Sequence, residues 1–451
     1  MTSQTTNSRE TGSRPSLWAE IRALAALGFP IVISLAAITL IGVVDTIMIA
    51  PLGTIPLAAA SITASVILIF YSALYGFVSI IGVRMAEAHG RDSPWALSAA
   101  TQTGMLVATA TGVLGAGLML AVEPALDLLG QPREVVEVIG GYWITMSLLL
   151  IPYTMFYALK ALFDAIERPW LGVSLAFVAV VINIPANQIL IHGVGNWSGL
   201  GLVGAGLASL LSQTVSLVLA WVIWRQASST AAARQPTEWT GKELSLQLRE
   251  GSAIATGYIG EGGSYAVAGL LMGWFSAAAL AANQIVASVG NVLYMVPLGV
   301  SIAVSIRVGK AIGARERDRL VTIGKAALCL IIVWMTLVML AILAGGRALA
   351  GLLSADAEVV SLAAGMFIIV AAMQIADGVQ GTMLGAARGM MDNRIPVMIT
   401  LVCYWIVSLP LGYLMGFVMA LGPNGVWIGY GTGLAIAASA LTWRYFSMAR
   451  R

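Results

Sequence analysis

Apolar residues in this chain come in long continuous stretches separated by short polar clusters, with neither strict alternation nor a narrow one-sided stripe. A helix needs roughly 20 apolar residues to cross the hydrocarbon core of a bilayer. Twelve stretches reach that length: 23–50, 57–82, 96–121, 136–159, 170–191, 200–224, 251–274, 279–305, 322–345, 358–384, 395–418 and 424–446. Continuous runs exclude the alternating strands of a membrane β-barrel. Pro30, Pro152, Pro185, Pro297 and Pro410 fall inside the runs. Neighbouring helices can satisfy the backbone groups such prolines free, so they read as kinks and close-packing points. The pattern predicts an all-α polytopic membrane protein with twelve transmembrane helices.

The runs also repeat. At an offset of 223 residues Gly28 meets Gly251, Leu57-Ala58-Ala59 meets Leu280-Ala281-Ala282, Tyr71 meets Tyr294, Gly76 meets Gly299, Arg84 meets Arg307 and Gly90 meets Gly313. Each unit holds six spans, an even number, so the two units run the same way through the membrane. Two such lobes, related by an axis along the membrane normal, suit alternating access by rocking. The expected division is a tail over 1–22, a first six-helix lobe over 23–224, a polar linker over 225–250, a second lobe over 251–447 and a short end over 448–451.

Composition agrees. The chain of 451 residues is 59% hydrophobic and 10% charged, with mean hydropathy +0.89; a soluble domain averages about 25% charged residues. Alternating the spans from an inside start puts all but Arg133 and Arg347 of the 24 Lys and Arg residues on the inner side, as the positive-inside rule demands. Both termini are therefore expected in the cytoplasm. The polar, Ser- and Thr-rich start is not followed by a short apolar segment with a cleavage site, so the first helix is expected to be retained. A net charge of +3 makes no case for nucleic acid. Cys329 and Cys403 lie in apolar runs and read as small core hydrophobes.

Among the 21 acidic residues, only Asp45, Glu261 and Asp377 fall inside apolar runs away from their first residues; Glu137 and Glu358 stand at the outer edges of theirs. A carboxylate at mid-helix costs roughly 2.5–3.5 kcal/mol on insertion scales, and such groups mark ion or substrate pathways. No Lys or Arg is expected at mid-span to balance them, which leaves a proton, a metal cation or a cationic substrate. The repeat partners of Glu261 and Asp45, Ile38 and Ala268, are not acidic, so a cation site is expected in the second lobe. The chain has no GxxxxGK[ST] phosphate loop and no assembled catalytic set, and His89 and His192 fall on opposite sides. No enzymatic activity and no cofactor are expected; the energy source is an ion gradient.

Several motifs then follow in order: Val44-Asp45-Thr46-Ile47-Met48, Asn183-Ile184-Pro185-Ala186-Asn187, Ala281-Ala282-Asn283-Gln284, Tyr294-Met295-Val296-Pro297, Ser305-Ile306-Arg307-Val308-Gly309 and Asp377-Gly378-Val379-Gln380. Across residues 20 to 447 the chain resembles the NorM-like branch of the multidrug and toxin extrusion (MATE) family. The resemblance implies two six-helix lobes around a central cleft, and export of cationic, often aromatic drugs in exchange for Na⁺ or H⁺. It implies a bacterial inner-membrane monomer. It implies that Glu261 and Asp377 form the cation-coupling site, binding the metal if the ion is sodium, and that Tyr294 faces the cation. Asp45, Gln284 and the outer-loop Asp356 become substrate-binding residues. A flippase for a lipid-linked saccharide is the nearest rival, though it would favour bases in its cleft; a channel or receptor is the rival from another class.

Overall fold

The computed structural model describes residues 16–126, 133–237 and 241–451; residues 1–15 of the expected tail lie outside them. The described residues are nearly all helical. The helices are α1 (Leu17–Ile49), α2 (Thr54–Gly90), α3 (Pro94–Val122), α4 (Arg133–Ala165), α5 (Pro169–His192), α6 (Leu202–Gln226) and α7 (Gly241–Gly273). They continue with α8 (Ala277–Gly313), α9 (Arg317–Leu353), α10 (Ala357–Gly389), α11 (Arg394–Val418) and α12 (Pro423–Ala449). Among the described residues, eleven are long and apolar enough to cross a membrane. The twelfth, α7, matches them in length with 33 residues, but Lys242, Glu243, Arg249 and Glu250 crowd its first turns.

The helices overrun the apolar stretches at the face that carries the start of α1, the end of α12 and the connection between α6 and α7, here called the linker face. α1 begins at Leu17, inside the expected tail, and α7 at Gly241, inside the expected linker. Helix propagation does not stop at the edge of the hydrocarbon, and the extra turns are anchored by ion pairs. Between them the linker forms a short 3₁₀ helix, Ser228–Arg234, and Gln235 accepts a hydrogen bond through its carbonyl from Ser98 Oγ at 2.6 Å.

Two helices are locally remodelled. α8 breaks into Ala277–Leu293 and Met295–Gly313, with Tyr294 at the joint. Pro297 explains the break: it offers no N–H to the carbonyl four residues back and its ring crowds that carbonyl, which belongs to Leu293. In α11, π-helical turns cover Cys403–Ser408 and Leu414–Val418, on either side of Leu409–Tyr413 with its Pro410. Such widened turns re-aim side chains, and here they present Tyr404.

The repeat reappears as reciprocal contacts across the seam between the halves. Arg307 Nη2 pairs with Glu20 Oε2 at 2.7 Å. Arg84 Nη2 pairs with Glu243 Oε2 at 2.7 Å. Positions 20 and 243, like 84 and 307, are 223 apart, so these are two copies of one bridge. Between them α2 crosses the second part of α8 closely: a Cβ on Gly90 would strike the Lys310 carbonyl, and one on Gly313 would strike the Glu87 carbonyl. Glu87 and Lys310 are again 223 apart. These contacts all lie toward the linker face, where the seam is closed.

Candidate functional site

The first half holds one carboxylate centre. Asp45, late in α1, accepts hydrogen bonds at Oδ1 from Asn187 Nδ2 at 2.6 Å and Asn183 Nδ2 at 3.2 Å, and at Oδ2 from Ser209 Oγ at 2.6 Å. The asparagines are one turn apart on α5, and Asn187 Nδ2 also donates to Asn183 Oδ1 at 3.0 Å, which fixes both amides. Asp45 is half-buried and lines a cavity of about 310 Å³ with Tyr71, Tyr142, Met146, Tyr153 and Gln213. Tyr71 and Tyr153 stack with centroids 4.3 Å apart, forming an aromatic wall opposite the acid.

The second half holds another. Glu261 on α7 and Asp377 on α10 are close enough for their charges to repel one another. Glu261 Oε1 accepts a bond from Tyr404 Oη at 3.3 Å. Tyr404 stacks on Tyr430 at 5.6 Å, and the Tyr430 hydroxyl is 3.2 Å from Ser264 Oγ. Tyr294, at the joint in α8, brings its hydroxyl against α10 at Gly381, one turn from Asp377. Neither Glu261 nor Asp377 has an ion-pair partner among the described residues. No group of three His, Cys, Asp or Glu side chains occurs there among the described residues. A bound Na⁺ would therefore draw on hydroxyl and carbonyl oxygens beside the two carboxylates.

The structure thus joins Glu261, Asp377 and Tyr294 in one centre and keeps Asp45 apart in the other half. Gln284 is exposed on α8 and lines none of the cavities described here; its neighbour Asn283 turns instead to a small space beside Tyr265 and Tyr430. Asp356 is the N-cap of α10, accepting from the Glu358 amide at 2.8 Å.

The MatE family model matches residues 30–189 and 253–414, two stretches that begin 223 residues apart, as the repeat does. The chain belongs to the MatE family. A probable multidrug resistance protein NorM of Bradyrhizobium diazoefficiens is 32% identical over 90% of this chain and 89% of its own length. The multidrug resistance protein NorM of Burkholderia vietnamiensis is 30% identical over 97% and 96%. In fold, the bent form of the Vibrio cholerae MATE transporter VcmN gives a TM-score of 0.86 at 20% identity, covering 96% of this chain and 98% of that one. The eukaryotic MATE transporter AtDTX14 gives 0.84 at 21% identity, with the same coverage. The MatE chain is accordingly a multi-pass membrane protein of a multidrug transporter family.

Two buried bases of this MatE protein escaped the reading of its apolar runs. Lys160 and Arg388 were expected beyond the ends of their spans, but α4 and α10 run on to Ala165 and Gly389 and bury both. Lys160 Nζ pairs with Asp164 Oδ2 at 2.8 Å. Arg388 has no carboxylate partner among the described residues; Nη2 donates to Tyr258 Oη at 3.1 Å. The available signal was the helical register, which continues past the last apolar residue of each run.

Proposed function

We propose that this protein is a secondary multidrug exporter that exchanges cationic, aromatic drugs for Na⁺ or H⁺ by alternating access of its two halves. The carrying observation is the separation of two carboxylate centres: Glu261 and Asp377 lie within charge range of each other without an ion-pair partner in one half, while Asp45 is held ready by three donors in the other. This pair of acids is the coupling site. Two like charges in an apolar setting are relieved when a cation or proton arrives, so this centre responds to an ion gradient. Tyr294 and Tyr404 supply hydroxyl oxygens to that cation.

Asp45 receives the positive group of the drug. Its cavity is near the lower end of ligand pockets, about 300–1,000 Å³. Tyr71 and Tyr153 offer ring faces to a flat cation, and Met146 adapts to varied shapes. With the positive-inside orientation the linker face is cytoplasmic, the closed seam makes this an outward-facing form, and the protein works as a monomer in the bacterial inner membrane. Cation capture at Glu261 and Asp377 drives release of drug from Asp45; the halves then rock and the seam opens to the cytoplasm.

Ethidium binding to the purified protein, followed by fluorescence anisotropy, tests the division of labour. D45N is expected to weaken binding about tenfold, a loss of about 1.4 kcal/mol. E261Q/D377N is expected to bind drug normally but to lose the response of binding to Na⁺ and pH. Wild-type affinity in D45N, or a double variant still sensitive to either cation, would sink the assignment.

A further inference from the structure

We infer that Arg388 is the valve that keeps the coupling cation from leaking from Glu261 through the linker face while the seam is closed. The inference rests on the coupling-site reading of Glu261 and assigns a separate task to a residue outside that centre. Arg388 is 4% exposed. Its Nε and Nη1 are buried without a protein partner. Its guanidinium lies 5.7 Å from the Tyr258 ring centroid and 6.0 Å from that of Tyr75, so aromatic faces replace a counter-ion. A fully charged group kept this way costs stability, and a Gln or Leu would pack there at lower cost.

Its position explains the retention. A cavity of about 30 Å³ between α7, α10 and α11 is lined by Glu261, Tyr258, Thr400, Arg388 and Asn393 together with apolar side chains. Beyond it, Asn393 Nδ2 donates to Glu250 Oε2 at 3.1 Å, and Glu250 pairs with Arg249, whose side chain is 57% exposed. These polar side chains link the cavity beside Glu261 to the exposed Arg249, and Arg388 is the fixed positive charge that lines the cavity. No ion pair ties Arg388 to Glu261, so the charge faces the cavity unneutralised. In a low-dielectric passage a fixed guanidinium repels protons and metal cations far more strongly than one in water.

Arg388 also lines a second cavity, about 50 Å³, on the seam between the halves, together with Lys160 and Asp164. Asp164 Oδ1 has no protein partner there. When the seam opens, Asp164 is the acceptor toward which the guanidinium turns, and the cavity clears. Cation release is thereby tied to the movement that admits the next drug.

The test uses the full chain in liposomes without drug, under Na⁺ or pH gradients, with entry read by sodium- and pH-sensitive dyes. R388Q is expected to raise entry of the coupling cation about tenfold, R388K to stay within about twofold of wild type, and R388Q/E261Q to return to baseline; tenfold corresponds to a barrier lower by about 1.4 kcal/mol. Y258F keeps the charge but removes its hydroxyl anchor, is expected to leak to an intermediate degree, and carries the test if R388Q does not fold. Well-folded R388Q without a leak overturns the valve, as does a leak that survives E261Q. Loss of export confined to carboxylate-bearing drugs, without a leak, also overturns it and makes Arg388 a substrate contact. If E261Q alone leaves gradient-driven export intact, the coupling-site reading has failed instead.

Discussion

The three donors on Asp45 differ in length, and the difference ranks their substitutions. A hydrogen bond to a charged group contributes roughly 1.5–3 kcal/mol. N187A and S209A each remove a 2.6 Å bond, and each is expected to slow ethidium efflux about tenfold or more. N183A removes the 3.2 Å bond and is expected to cost less. Efflux assays on protein recovered at wild-type yield decide the order, and a larger effect of N183A would contradict it. Asp356 is expected to behave differently. As a helix cap it contributes about 1 kcal/mol, so D356S, which still caps, should export at the wild-type rate; a loss of export would show that Asp356 meets the drug. The acids were legible in the sequence because a carboxylate in an apolar run stands out. Of the donors of Asp45, Asn183 and Asn187 were visible only as part of a motif and Ser209 not at all, since their convergence depends on α1 lying beside α5 and near α6.

Where the helices cross at the linker face, the structure makes two copies of one latch. Glu20 is 1% exposed and Arg307 12%. Removing one partner of a buried pair costs about 3–5 kcal/mol. E20Q and E243Q are each expected to loosen the seam, E20Q more because Glu20 pairs with both Arg307 and Arg319. In a background with Cys329 and Cys403 replaced by serine, maleimide labelling of S305C reads the opening; equal labelling in all variants would contradict the latch. Acid adds an independent check. Burial raises the Glu243 pKa, but the hydrogen bond and charge of Arg84, with help from Gln247 and Arg91, outweigh it and hold Glu243 below 4.5. A folded-state pKa below the unfolded value means a contribution present above about 4.5 and lost as pH falls through the lower folded value. Labelling, normalised at each pH to that of the denatured protein because only the thiolate reacts, should thus stay flat from neutral pH down to about 5 and rise only below about 4.5, and E243Q should abolish that rise. The offset of 223 announced this latch in Arg84 and Arg307, but their partners were read as tail and linker residues. Charge density ended the predicted spans there, whereas the helices continue on ion pairs.

For the whole molecule, hydropathy and the internal offset were enough for twelve helices in two like halves, because the bilayer imposes length and apolarity on every span. They did not show which contacts close the seam or that α11 widens to aim Tyr404, since each depends on a neighbour distant in sequence; the break in α8 at Tyr294, by contrast, follows from Pro297, which already reads as a kink. The halves share a frame but not chemistry: one offers a tyrosine-walled acid, the other an acid pair. In the proposed division of labour, one half is the drug site and the other the ion site. Its most direct test is ethidium efflux from liposomes with Na⁺ and H⁺ gradients imposed separately. Efflux is expected to follow one of the two gradients, and E261Q/D377N to abolish this dependence. Gradient-driven efflux at the wild-type rate in E261Q/D377N would contradict it.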